Sequence, residues 1–299
     1  QGEAGGRGVW GEFRPPSRPR FSEIFWRAKK LKKSLKTDKM KTSMENELKF
    51  YFPEQQSERF GRNVEIHAIF LRHGEKGEGG DLTKEGEKRA AELGSNLTKK
   101  DAIKAYASPV QRALETVEQV IEAAPHDKKL NTRIRAEIGI PPSSKEFLEK
   151  FRQLEKLGPD AAAEWYLSFG TEKPDPETPS PHEVAESFGY ILTKYLRMAD
   201  KLYSGSNIDL INGTHQGLPE ALLKEVLVRR KDDRDLVGFE KLEDIGGALQ
   251  FTEGMEFLIR VDEQGNKVLK LNFRGQTYDI AMDKLLELAK AYEERQKQK

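Results

Sequence analysis

The stretch 66–75, IHAIFLRHGE, carries a short apolar run, residues 66–71, straight into Arg72-His73-Gly74-Glu75. Mostly β-favouring residues bounded by charge and glycine predict a buried strand over 64–71. Gly74 allows the chain to turn sharply behind it. A strand that delivers Arg72 and His73 at its carboxyl end puts them where open α/β sheets bind ligands. Arg72 is planar, always charged and forked, which suits an oxyanion such as phosphate. His73 can act as nucleophile, base or acid near neutral pH.

Two further junctions repeat this logic. Residues 103–107 read as a second short strand, followed by Ser108-Pro109-Val110-Gln111-Arg112. Ser at an N-cap and Pro at the first helical position predict a helix to about residue 124. Arg112 then lies beside the helix N-terminus, where backbone N–H groups and the dipole favour an anion. Taken alone, Arg112 reads rather as a surface partner of Glu115 or Glu118. Residues 207–214 form another buried strand, ending at His215, with Leu218-Pro219-Glu220 opening the next helix. A lone His215 would read as a structural hydrogen-bonding residue. The conjunction carries more: two arginines and two histidines on one oxyanion-rich group are what phosphoryl transfer without a metal requires.

The rest of the chain supplies a frame. Residues 83–97 read as a helix with Thr83 as N-cap, and KGEGGD before it lacks the Lys-Ser/Thr ending of a P-loop. Residues 134–138 read as a strand carrying Glu137, which points either to solvent at an edge or into the site. Residues 144–169 and 182–203 read as helical, and 141–181 as a helical insertion over the site that would select substrates. Residues 256–262 and 267–273 flank a Glu-Gln-Gly-Asn turn and predict a hairpin, followed by a final helix over 280–298. The expected fold is α/β: a three-layer α/β/α arrangement with a mostly parallel central sheet, the insertion, and a C-terminal β-hairpin and helix. The folded domain is expected over 63–299.

Residues 1–62 differ. The opening is rich in Gly, Pro and Arg without periodicity and is expected to be disordered. Between Arg14 and Lys41 there are eleven Lys or Arg against Glu23 and Asp38, a local charge of +9; the remainder carries 40 basic and 48 acidic residues, or −8. Apolar residues from Phe21 to Leu35 fall at helical spacing among the lysines. That admits a weak contact of residues 14–41 with an anionic membrane, against the plainer readings of a solvated tail, a targeting arm, or sequence upstream of a start at Met40 or Met44. The 299 residues are 36% hydrophobic and 34% charged, with no cysteine. Disulfides, thiolate metal sites and thiol nucleophiles are thereby excluded. The expected location is cytoplasmic, and no nucleic-acid partner is expected. The five histidines show no close zinc-ligand spacing, and neither metal nor cofactor is expected.

Taken in order, Leu71-Arg72-His73-Gly74-Glu75, Leu82-Thr83 with Glu85-Gly86 and Leu93-Gly94, Ala107-Ser108-Pro109 with Arg112-Ala113 and Thr116, and Gly213-Thr214-His215 with Gly217 resemble the histidine phosphatase superfamily, also called the phosphoglycerate mutase-like family. The resemblance covers about residues 64–230. It implies that His73 is the nucleophile and forms a phosphohistidine. It implies that Arg72, Arg112 and His215 bind the phosphoryl group of a small phosphorylated substrate. For the acid that protonates the leaving oxygen, Glu137 matches the mutase-like branch, with Glu75 as the alternative. Gln216 stands where the acid-phosphatase-like branch carries Asp. Lys76 departs from the usual Thr or Ser. His182-Glu183-Val184-Ala185-Glu186-Ser187 lacks the glycine and arginine of the Gly-Glu-Ser element. Residues with which the mutases grip a phosphoglycerate carboxylate are not recognisable. The implied activity is a metal-independent phosphomonoester hydrolase. A phosphoglycerate mutase-type phosphotransferase and a non-catalytic phosphate-binding protein on the same fold are the alternatives.

Overall fold

A computed structural model describes residues 59–298. Strand β1 (Val64–Arg72) lies at the centre of a nine-stranded sheet. On one side it pairs in parallel with β4 (Asn207–Thr214), which pairs in parallel with β2 (Ala102–Ala107), which pairs in turn with β3 (Lys129–Ile134). On the other side β1 runs antiparallel to β7 (Gly254–Val261), and the sheet continues through β8 (Lys267–Phe273), β9 (Gln276–Ile280), β5 (Leu227–Lys231) and β6 (Arg234–Val237). The expected parallel sheet therefore holds for four strands, and the other five extend it antiparallel. The physical reason is the connections: parallel neighbours need a crossover, and helices supply those among β1 to β4, whereas β5 to β9 follow one another through turns and loops. The expected hairpin is β7 and β8, and it is part of the main sheet rather than an appendage.

Helices cover both faces. Alternation along β1 sends Ile66, Ala68 and Phe70 to one face, where they pack with α5 (Pro181–Ala199), α6 (Leu218–Val226) and α7 (Met282–Lys297). Leu71, with Ile103, Ala105 and Ile211, faces α1 (Lys84–Ser95) and α2 (Gln111–Ala123). Between β3 and α5 lie a 3-10 turn (Ala136–Ile138), α3 (Lys145–Glu155) and α4 (Pro159–Leu167). The Asp175 carboxylate ties the proline-rich loop to the start of α3. It accepts from the hydroxyls of Ser144 and Thr178 and from the N–H groups of Glu177 and Thr178, all at 2.8–2.9 Å.

Several boundaries move. The strand expected over 134–138 is β3, ending at Ile134, and Glu137 lies in the 3-10 turn behind it. The β5–β6 hairpin was hidden in the charged run LVRRKDDRDLV. Its turn uses Asp232 and Asp233 at φ 50° and 58°, rather than the Asn-Gly that signals such a turn. Residues 59–62, expected within the arm, join the body: Phe60 bridges to Tyr203, and Gly61 N–H donates to Leu202 O at 2.9 Å. The basic arm and its amphipathic helix over 14–41 lie outside the described residues. Among the described residues no helix is long and apolar enough to cross a membrane.

Candidate active site

The register of the central strands brings the predicted residues to one edge. Arg72 is level with Thr214, and Ala107 with Gly213. His73 N–H donates to Thr214 O at 3.0 Å and Ser108 N–H to Gly213 O at 2.9 Å. His73, His215 and Ser108 thus leave three adjacent parallel strands side by side. Helix α2 can close on them because position 213 is glycine: a Cβ there would stand 2.7 Å from Ala113 O and 2.6 Å from Val117 Cγ1. The helix begins two residues later than the Ser-Pro pair suggests. Val110 is its N-cap, and Ser108 Oγ accepts from Val110 N–H at 3.2 Å.

His73 is buried and held on both ring nitrogens. Nδ1–H donates to Gly74 O at 2.7 Å, which leaves Nε2 as the lone-pair nitrogen, and Arg112 Nε–H donates to that atom at 2.9 Å. Gly74 is fixed in turn by its N–H to Thr116 Oγ1 at 2.9 Å, and Thr116 donates to Arg112 O. One side chain therefore ties nucleophile loop to arginine helix. The His215 ring lies with its centroid 5.2 Å from that of His73, and its Nε2 is 2.8 Å from Ser108 Oγ. If Ser108 donates there, Nδ1 of His215 carries the hydrogen. That atom is buried without a hydrogen-bond partner, as is Nε of Arg72. Burial first, then the charge of Arg112, pushes His73 down to about 3. Burial and the neighbouring His73, Arg112 and Arg72 push His215 well below the usual histidine range. Both rings are neutral at neutral pH.

Arg72 is anchored by residues that the strand-end pattern did not disclose. Its Nη1 donates to Leu249 O at 2.9 Å, and its guanidinium lies 4.0 Å from the centroid of the Phe251 ring. Leu249 N–H donates to Glu220 Oε1, and Gly217 N–H to Glu220 Oε2, both at 2.8 Å. Glu220 is 1% exposed. Burial raises it, while those two hydrogen bonds and the charge of Arg72 act the other way. A Glu three residues after Gly217 at a helix start is the visible trace of this contact.

A cavity of about 360 Å³ opens onto these groups, lined by Arg72, His73, Arg112, His215, Lys76 and Glu155 together with side chains of the insertion. The two predicted acids do not line it. Glu137 turns its carboxylate toward Arg135, 3.9 Å from Nη1, because the 3-10 turn rotates it out of strand geometry. Glu75 is engaged in its own loop, accepting from Thr83 Oγ1 at 3.1 Å. Glu155, at the end of α3, is the carboxylate at the cavity wall, with an oxygen 3.6 Å from Lys76 Nζ. Nothing in its local sequence distinguishes it from the other acids of that helix. Among the described residues no group of three or more His, Asp or Glu is arranged to hold a metal ion.

The family model described as histidine phosphatase superfamily (branch 1) matches residues 68–237. No curated protein matches the chain. Among solved structures, a mycobacterial glucosyl-3-phosphoglycerate phosphatase is similar at 15% or less, namely 14% identity, with a TM-score of 0.42 over 69% of this chain and 97% of that one. A phosphoserine phosphatase from Entamoeba histolytica is similar at 18% identity and a TM-score of 0.40, over 68% of this chain and 94% of that one. A mycobacterial hydrolase gives 15% identity and a TM-score of 0.44, over 71% and 99%.

Proposed function

The chain belongs to the histidine phosphatase superfamily, and we propose that it is a metal-independent phosphomonoester hydrolase working through a phosphohistidine on His73. The observation that carries this reading is the pairing of a lone-pair nitrogen with unpartnered buried donors. His73, Arg72 and His215 all line the cavity, and Arg72 Nε and His215 Nδ1 are buried without a hydrogen-bond partner. Buried donors without acceptors are costly, and a phosphoryl group supplies three acceptor oxygens.

In the proposed reaction Arg112 turns its N–H from Nε2 to a phosphoryl oxygen, with Arg72 and His215 donating to the others. The Nε2 lone pair forms the P–N bond as the P–O bond to the alcohol breaks. The leaving oxygen takes a proton, and we assign its delivery to Glu155, the carboxylate on the cavity wall. Water then attacks the phosphohistidine. Its proton passes to Glu155, the P–N bond breaks, and phosphate leaves with His73 neutral again. Gly74 O keeps the Nδ1 hydrogen in place throughout, so the nucleophile keeps its tautomer.

The test is hydrolysis of p-nitrophenyl phosphate with EDTA present, beside His73→Ala and an alkali-quenched search for an acid-labile, base-stable phosphoenzyme. EDTA-resistant turnover and a phosphoenzyme, both lost in the variant, are expected. Turnover that survives His73→Ala would overturn the assignment.

A further inference from the structure

The cavity lining is of two kinds. The cationic and imidazole groups stand at the strand ends, and Lys76, Arg152, Glu155 and Gln216 are the other charged or amide side chains. The apolar part comes mostly from the insertion: Phe147, Leu148 and Phe151 of α3, Tyr166 of α4 and Ile140, joined by Leu218 of α6. The wall is a packed aromatic cluster: the Phe147 ring stacks on Trp165 at 5.2 Å, meets Tyr166 edge-on at 5.6 Å, and lies 6.0 Å from Phe151. Such a surface is shaped before any ligand arrives.

The hydroxyls on this wall are already bonded within the protein. Tyr166 Oη donates to Pro179 O at 3.1 Å, and Ser143 Oγ donates to Pro141 O at 3.1 Å. Thr178 Oγ1 donates to Asp175 at 2.8 Å and accepts from Ser144 N–H at 3.1 Å. Lys76 and Glu155 face each other at 3.6 Å, and Arg152 is exposed at the rim. A sugar or glycerol group placed against Phe147, Phe151 and Tyr166 would exchange water for carbon on most of its hydroxyls, which is unfavourable. A hydrocarbon or aryl group would gain what the sugar loses.

From this division we propose that the site takes phosphomonoesters of apolar alcohols or phenols, with the organic group lodged against the α3–α4 wall. The proposal rests on the phosphoryl reading of the cationic groups but concerns the apolar part of the lining.

Alkylphosphonates, which cannot be hydrolysed, separate the two ideas. Isothermal titration of the full chain with a homologous series from ethyl- to octylphosphonate should show Kd falling by about fourfold per added methylene until the wall is covered. Phe151→Ala should flatten that series, with the loss of affinity growing with chain length. Phe151→Leu, which keeps an apolar side chain at this half-buried position, should restore most of the slope. A Kd independent of chain length in the native protein, absence of phosphonate binding, or glycerol phosphate binding as tightly as hexylphosphonate would overturn the proposal. Steep chain-length dependence without turnover of any ester would keep it and remove the hydrolase reading. Turnover with a flat series would do the reverse.

Discussion

Replacing Glu155 by Gln separates acid catalysis from charge balance. The variant keeps the shape of the cavity wall but can neither give nor take the proton. On alkyl phosphates, whose leaving oxygen is strongly basic, loss of a positioned acid should lower kcat by about 10²–10⁴-fold. On p-nitrophenyl phosphate the leaving group departs without a proton, so the phosphorylation step should change only a few-fold. The charge effect runs the other way. Glu155 lies 3.6 Å from Lys76, and the two side chains are 26% and 38% exposed, so solvent screens the pair. A pair of that kind is worth about 0.5–1 kcal/mol. Releasing Lys76 should therefore favour a phosphate dianion by that amount and lower KM about two- to fivefold. Steady-state kinetics on a set of alkyl and aryl esters reads both terms. Under the proposed assignment kcat/KM, which reports the phosphorylation step, falls steeply with leaving-group basicity while KM falls modestly on every ester. Equal kcat/KM losses on both ester classes, or a KM change alone, would show that Glu155 only balances charge. The same leaving-group signature in Glu137→Gln would return the proton to the residue that the sequence favoured.

Two further predictions concern the rest of the site. Phe251→Ala removes the ring lying 4.0 Å from the Arg72 guanidinium; a desolvated cation–π contact is worth about 2 kcal/mol, so inorganic phosphate should inhibit about 10- to 30-fold less tightly, and unchanged inhibition would show that Leu249 O alone fixes Arg72. Acid should destabilise the fold before the carboxylates titrate. His73 is held at about 3 and His215 is also lowered, so below the ordinary histidine value of about 6.5 the unfolded chain binds more protons than the folded one. Stability is then full above that value and falls as pH drops toward 3, by up to about 1.4 kcal/mol per pH unit for each ring. Urea unfolding between pH 7.5 and 5 checks this, and His73→Ala should show a shallower slope; identical slopes would remove His73 from the account.

Much of the site was legible because it is local. Arg72-His73, Arg112 and His215 each follow a strand or open a helix, and strand ends and helix starts leave marks in sequence. Parallel pairing of β1, β2 and β4 then brings them together. What was not legible depends on long-range contacts or on small rotations. Glu137 stands in the matching stretch, yet a 3-10 turn rather than a strand turns its carboxylate to Arg135. Glu155 becomes a cavity residue only because the insertion folds back over the strand ends. The loop carrying Leu249 and Phe251 follows Gly246-Gly247, but nothing local says that it meets Arg72. The antiparallel half of the sheet was hidden for a related reason: β6 is exposed throughout and β5 passes from buried Leu227 to exposed Arg230, so neither shows the alternation that reveals a half-buried strand.

That antiparallel half bears directly on the chemistry. Arg72 ends β1, the strand on which the parallel and antiparallel halves meet. Its backbone N–H donates to Glu253 O at 3.0 Å, just ahead of β7, and its guanidinium is held by Leu249 and Phe251. All three residues lie beyond residue 237, where the family match ends. Arg274, from the turn between β8 and β9, pins the same loop. It donates to the backbone oxygens of Ile245, Gly247 and Ala248 and pairs with Glu253 at 2.7 Å. Glu220 closes the circuit, binding Leu249 N–H on this loop and Gly217 N–H beside His215. Arg72, the arginine proposed to bind the phosphoryl group, is thus positioned from both halves of the sheet at once. A fixed guanidinium loses little freedom when it meets a phosphate, which is the main advantage of arginine over lysine at such a site.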